Sequence, residues 1–256
     1  MEKIWLKNYQ AGVPAEIDVN AYKSVAEVFE KSVAKFADRP AFANMDKIIT
    51  YRELDKLTRD FGAYLQNKLG LKKGDRVAVM MPNLLQYPIA VFGILRAGLT
   101  VVNVNPLYTP RELEHQLKDS GAETIVILEN FAITLQDVLK NTPVKNVITT
   151  QIGDMLGFPK SLIVNMVVKH VKKMVPSWSI HNTVKFNDTL TQGSRLKLNP
   201  VQIGHDDIAF LQYTGGTTGV SKGAMLTNRN IVANMMQAHA WLKPMVREGQ
   251  EIIITA

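Results

Sequence analysis

The sequence predicts an α/β protein, with parallel-sheet layers and helices on both faces, and three observations carry that prediction. Apolar runs of strand length alternate along the chain with longer segments of helical periodicity, which is the order that parallel strands joined by helices require. The chain has 256 residues, 46% of them hydrophobic, enough for one large domain or two small ones, with no repeat of solenoid period. One apolar run leads into a glycine-rich segment and then toward a helix, a common setting for anion binding.

Helical patterns cover roughly 25–36, 52–68, 84–97, 110–119 and 131–140, and strand-type runs cover 76–81, 100–104, 124–128 and 145–150. The first helix follows Ser24 with Glu27 three residues on. The second follows Thr50 with Glu53, and the fourth follows Thr109 with Glu112 and Pro110 at its first position. Each is the reciprocal pattern that caps a helix N-terminus. Residues 77–95 are nineteen positions without a charge, close to the length of a membrane span. Pro82, Asn83, Gln86 and Pro88 divide them, and a buried strand followed by a core helix is the expected structure. Another strand-type run, 208–213, precedes the glycine-rich segment. Beyond it Ile231, Ala233, Asn234, Ala238 and Leu242 suggest a helix, and 251–256 read as a strand.

The glycine-rich segment is Tyr213-Thr214-Gly215-Gly216-Thr217-Thr218-Gly219-Val220-Ser221-Lys222-Gly223. Its glycines free the backbone to turn several N–H groups onto one anion, and its threonines and lysine add donors and positive charge. It is not a Walker loop, and no G-x-G-x-x-G occurs in the chain. By composition alone, a plain surface turn fits as well as a phosphate grip. Order and context favour the grip.

Other chemistries find no support. There are no cysteines, hence no disulfide, thiolate or Cys-type zinc site, and a reducing cytoplasm fits. The histidines at 115, 170, 181, 205 and 239 share no i, i+4 pair for a metal, and no Gly-x-Ser-x-Gly elbow is present. Residues 1–7 carry no secretory apolar core. Arg111, Glu112, Glu114 and His115 are expected to form a solvated helix face.

The segment 213–223 resembles the signature phosphate loop of the adenylate-forming superfamily of acyl-CoA synthetases, luciferases and peptide-synthetase adenylation domains. Residues 77–98 and 102–117 are similar to bacterial long-chain fatty acyl-CoA synthetases, and the similarity runs along essentially the whole chain. The resemblance implies a ligase using ATP, Mg2+ and coenzyme A. A fatty acid carboxylate attacks the α-phosphate to give acyl-adenylate and pyrophosphate, and the coenzyme A thiol then displaces AMP. It implies nucleotide binding by Thr214, Gly215, Gly216, Thr217, Thr218, Gly219 and Lys222, with Thr217 as a magnesium ligand and Lys222 neutralising the leaving pyrophosphate. It also implies a glutamate motif, an adenylation lysine and a C-terminal domain that all follow the phosphate loop. The 256 residues are therefore expected to be the incomplete N-terminal nucleotide-binding domain of an adenylate-forming fold, partnering a C-terminal half. An inactive membrane- or partner-binding module, and a synthetase part for another carboxylic acid, are the alternatives.

Positive charge is concentrated between 158 and 197, where six lysines and one arginine face a single acid, Asp188, a local net of +6 out of the chain's +7. Within a basic insert at about 155–178, residues 161–175 read as an amphipathic helix. Ile163, Met166, Val167, Val171 and Met174 lie on one face, and Lys169, Lys172 and Lys173 on the other. The pattern suits an anionic membrane surface, and packing of the apolar face on the domain is the competing reading. Nucleic acid is disfavoured, since no reading motif and few aromatics accompany the charge. The expected location is cytoplasmic, peripherally associated with the inner membrane.

Overall fold

The computed structural model describes residues 2–214 and 221–255. Its helices are α1 (Val25–Phe36), α2 (Tyr51–Asn67), α3 (Gln86–Arg96), α4 (Pro110–Ser120), α5 (Ala132–Val138), α6 (Lys160–Met166), α7 (Phe186–Gly193) and α8 (Asn228–Leu242). Its strands are β1 (Pro40–Asn44), β2 (Lys47–Thr50), β3 (Arg76–Met80), β4 (Thr100–Asn103), β5 (Thr124–Leu128), β6 (Asn146–Thr150), β7 (Val184–Lys185), β8 (Ile208–Thr214) and β9 (Lys222–Thr227). Among the described residues, β1 and β2 form a hairpin and the other strands form one sheet in the order β7-β6-β5-β3-β4-β8-β9. Every pairing in that sheet is parallel except β8 with β9.

The sequence explains why the sheet is covered on both faces. All five residues of β5, Thr-Ile-Val-Ile-Leu, are buried, as are Val77 to Met80 of β3, the continuous apolar pattern of strands between two helix layers. Successive side chains alternate between two cores. Val77, Val79, Val101, Val126 and Ile148 pack with α1, α2, α3 and α7, whereas Ala78, Met80, Val102, Ile125 and Ile127 pack with α4 and α5. Fully burying one such aliphatic side chain contributes about 1.5–3 kcal/mol. The closest approach of α7 to α2 needs a glycine, because a Cβ on Gly193 would lie 1.8 Å from the Asp60 carbonyl oxygen.

Thr50 and Thr109 complete both halves of their caps. Ser24 completes one: it accepts from Glu27 N, but the Glu27 carboxylate takes the Lys23 amide instead. Residues 251–255 form no strand, and Ile252, Ile253 and Ile254 are exposed. Strand propensity needs a neighbouring strand to satisfy its backbone, and among the described residues none is beside them.

The basic segment is shorter than expected, with α6 continuing as a π-turn over Val167–Val171. Asn165 and Lys169 find polar partners on the body, while His170, Lys172 and Lys173 are exposed. Asn165 accepts from Gly153 N at 2.7 Å and donates to Asp154 Oδ1 at 3.1 Å. Lys169 lies 3.7 Å from the buried Glu129 carboxylate, and Asn130 donates to Met174 O. Leu162, Ile163, Met166, Val171 and Met174 are exposed.

Candidate phosphate-binding site

Strand β8 runs parallel to β4, so Thr214 lies at the carboxyl edge of the sheet, where open α/β folds place their ligands. The chain returns as β9, which sets Tyr213 opposite Gly223 and Thr214 opposite Lys222. The expected passage from glycine loop to helix is thereby corrected. A strand follows the loop, because Lys222–Thr227 pairs with β8, and α8 starts only at Asn228. Of the eleven motif residues, Tyr213, Thr214, Ser221, Lys222 and Gly223 are placed. Gly215, Gly216, Thr217, Thr218, Gly219 and Val220 lie outside the described residues, and with them the magnesium ligand expected at Thr217.

Thr214 and Lys222 are both exposed and directly paired, which puts a hydroxyl and an ammonium side by side at the sheet edge. Among the described residues Lys222 forms no ion pair. Tyr213 is only 7% exposed, and its hydroxyl donates to Asp119 Oδ2 at 2.5 Å. Burial first, and the Asp119 hydrogen bond second, push the phenol well above its ordinary value, so it remains a donor. Gly223 is explained by the same ring: a Cβ there would meet Tyr213 Cζ at 2.8 Å.

Beside the motif, a polar chain runs along the carboxyl edge. Tyr87 donates to Asn103 Oδ1 at 3.0 Å, Asn103 donates to Gln212 Oε1 at 3.0 Å, and Gln116 donates to the Asn103 carbonyl at 2.7 Å. Burial raises the Tyr87 phenol, which keeps its proton as the donor of that chain. Tyr87, Asn103 and Gln212 border a cavity of about 220 Å³ that reaches Tyr213. A larger cavity of about 440 Å³ opens at the opposite, amino-terminal ends of β3, β4 and β8, where Lys73 pairs with Asp207 at 2.7 Å. The larger cavity extends to Asp119, Tyr213 and Gly223, so both cavities touch the motif; the candidate site is placed at the carboxyl edge because Thr214 and Lys222, which flank 215–220, emerge there.

His115 departs from expectation. Glu112 caps α4 and Glu114 pairs with Lys118, as a solvated face requires, but His115 is half-buried with Nε2 2.9 Å from the Ser221 carbonyl oxygen. Sequence reading gave no signal for Tyr87, Asn103, Asp119 or Gln212 either, because each acts through a partner distant in the chain. Among the described residues no group of three or more His, Asp or Glu could hold a metal ion.

A mostly parallel sheet with helices on both faces, left by the chain at Thr214 and rejoined at Lys222, defines an α/β fold. The chain belongs to the AMP-binding enzyme family, whose model matches residues 29–256. It is 55% identical over all 256 residues to a long-chain-fatty-acid–CoA ligase of Escherichia coli O6:H1 and 36% identical over 254 residues to one of Bacillus subtilis. It spans 46% and 45% of their lengths, about half of each. The structure superposes on a long-chain-fatty-acid–CoA ligase of Archaeoglobus fulgidus with a TM-score of 0.68 at 26% identity, over 91% of this chain and 42% of that one. An anthranilate CoA ligase bound to anthranoyl-AMP shares the fold, with a TM-score of 0.67 at 19% identity over 83% of this chain and 37% of that one.

Proposed function

We propose that these residues are the N-terminal, phosphate-binding part of an AMP-forming long-chain-fatty-acid–CoA ligase whose C-terminal domain lies outside them. The observation that carries this is that Thr214 and Lys222, which flank 215–220, are paired and open at the carboxyl edge. The substrates are MgATP, a fatty acid and coenzyme A. In the first half-reaction a carboxylate oxygen bonds to the α-phosphorus and the bond from that phosphorus to pyrophosphate breaks. In the second, the thiol sulfur bonds to the acyl carbon and AMP leaves. In this reading the backbone N–H groups and hydroxyls of segment 213–223 meet the charge that accumulates on departing pyrophosphate, and Lys222 supplies the full positive charge. Thr217 is assigned to the magnesium that accompanies ATP.

The test is a hybrid in which this chain replaces the matching part of the Escherichia coli relative. Long-chain-fatty-acid-dependent ATP–pyrophosphate exchange, reduced at least a hundredfold by Lys222→Ala, is the expected result. A folded hybrid that exchanges nothing, or that ignores the substitution, overturns the assignment.

Peripheral contact with an anionic membrane belongs to the same reading. It is supported by the outward-turned Leu162, Ile163, Met166, Val171 and Met174 beside exposed Lys172 and Lys173, in a region of net charge +6. Among the described residues no helix is long and apolar enough to cross a membrane.

A further inference from the structure

We infer that α4 is a clamp on the two ends of the phosphate-binding segment, Tyr213 and Ser221, with His115 and Asp119 as its positioning residues. The two lie one helical turn apart on a single face, about 6 Å along the axis. Each grips a different limb of the hairpin. Asp119 accepts from Tyr213, the last buried residue of β8, at 2.5 Å, and His115 holds the carbonyl of Ser221, just ahead of β9, at 2.9 Å. A carbonyl oxygen only accepts, so Nε2 carries the hydrogen, and the bond persists whether the ring is neutral or protonated. Between them Gln116, fully buried, donates to the Asn103 carbonyl at the end of β4. One helix thus ties β4, β8 and the approach to β9, with Asp119 reaching Tyr213 from the cavity that also contains Lys73 and Asp207.

The helix is built to hold still. Its first turn is closed by Pro110 and the Thr109–Glu112 capping box, its last by Gly121 in the left-handed conformation, and Leu113 and Leu117 anchor it in the core at 0% exposure. Gly223 completes the arrangement. Without a side chain there, the Tyr213 ring crosses its partner strand and reaches Asp119. A group that binds anions through fixed donors loses affinity when the spacing of its limbs relaxes, so α4 acts on phosphate affinity without touching phosphate.

The inference rests on the reading of 213–223 as a phosphate-binding segment, and the test separates the two. The 256-residue chain is prepared with His115→Ala, His115→Gln and Tyr213→Phe, and MgATP affinity is measured beside amide hydrogen exchange across 221–227. Glutamine places an N–H donor close to that of Nε2. Expected are an affinity at least tenfold weaker in His115→Ala, recovery to within about threefold in His115→Gln, and exchange at least tenfold faster at 221–227 in His115→Ala with α2 and α3 unchanged. MgATP affinity unaltered in His115→Ala, or equally lost in a folded His115→Gln, overturns the clamp. Should the unsubstituted chain bind no MgATP, the phosphate reading is decided by the hybrid and the clamp by the exchange measurement alone: unaltered protection at 221–227 overturns it.

Discussion

Replacing Gly223 with alanine adds one methyl carbon, which falls 2.8 Å from Tyr213 Cζ, 2.9 Å from Cε2 and 3.1 Å from the phenolic oxygen. The ring is buried and its hydroxyl is bound to Asp119, so relief requires the strands to separate or the hydroxyl to leave its acceptor. Overpacking of this kind costs about 1–3 kcal/mol. Loss of the hydrogen bond adds about 1 kcal/mol, because the exposed Asp119 regains water. Gly223→Ala is therefore expected to destabilise by about 2–4 kcal/mol, read as a lower urea midpoint at unchanged slope. In a Tyr213→Val background the ring is gone, and the same substitution is expected to be neutral or to stabilise by about 0.5–1 kcal/mol, the ordinary preference for alanine over glycine in a strand. The reversal of sign is the diagnostic. Equal costs in both backgrounds would refute the ring as the reason for Gly223 and return it to a requirement of the backbone itself.

Gly193→Ala places a Cβ against the Asp60 backbone, which cannot swing aside as a side chain can; a loss of about 3 kcal/mol or more in urea unfolding is expected, while Gly204→Ala, whose Cβ meets only the Asp207 carboxylate at 3.9 Å, is expected to change little. The Glu53 carboxyl is held below its ordinary value of 4.5, chiefly by the Thr50 amide it accepts from. A lowered folded value means that the cap's contribution is full above pH 4.5 and lost as pH falls through the folded value, so Glu53→Gln is expected to flatten the acid limb of a stability–pH curve. Lys172→Gln with Lys173→Gln removes two charges worth about 1 kcal/mol each near an anionic surface, and vesicle partitioning is expected to fall about thirtyfold at low salt. Ile163→Asp with Met166→Asp is expected to weaken it at least tenfold even where salt screens the lysines.

The sheet was legible because its strands are buried on both faces. Runs such as Thr124–Leu128 leave no other reading, and all five helices assigned by periodicity form within two or three residues of their expected ends. The hairpin β1–β2 was not legible, since its turn residues Met45 and Asp46 take φ of 47° and 60° without the Asn-Gly signal that announces such turns. The amphipathic segment was half legible. Its apolar residues are outermost because Asn165 and Lys169 find polar partners on the body, and those partners are distant in sequence. His115 shows the same limit at the site. Periodicity assigned it to the wet face of α4, and only the fold brings Ser221, 106 residues away, over that face.

The most direct test of the central claim is calorimetric titration of MgATP into the 256-residue chain, run beside Lys222→Ala. Saturable binding is expected, weakened at least tenfold by the substitution, a loss of about 1.4 kcal/mol or more, with folding unchanged. Binding indifferent to Lys222, or absence of binding both by the folded chain and by the folded hybrid that carries it, would contradict the assignment of 213–223 to the phosphates of ATP.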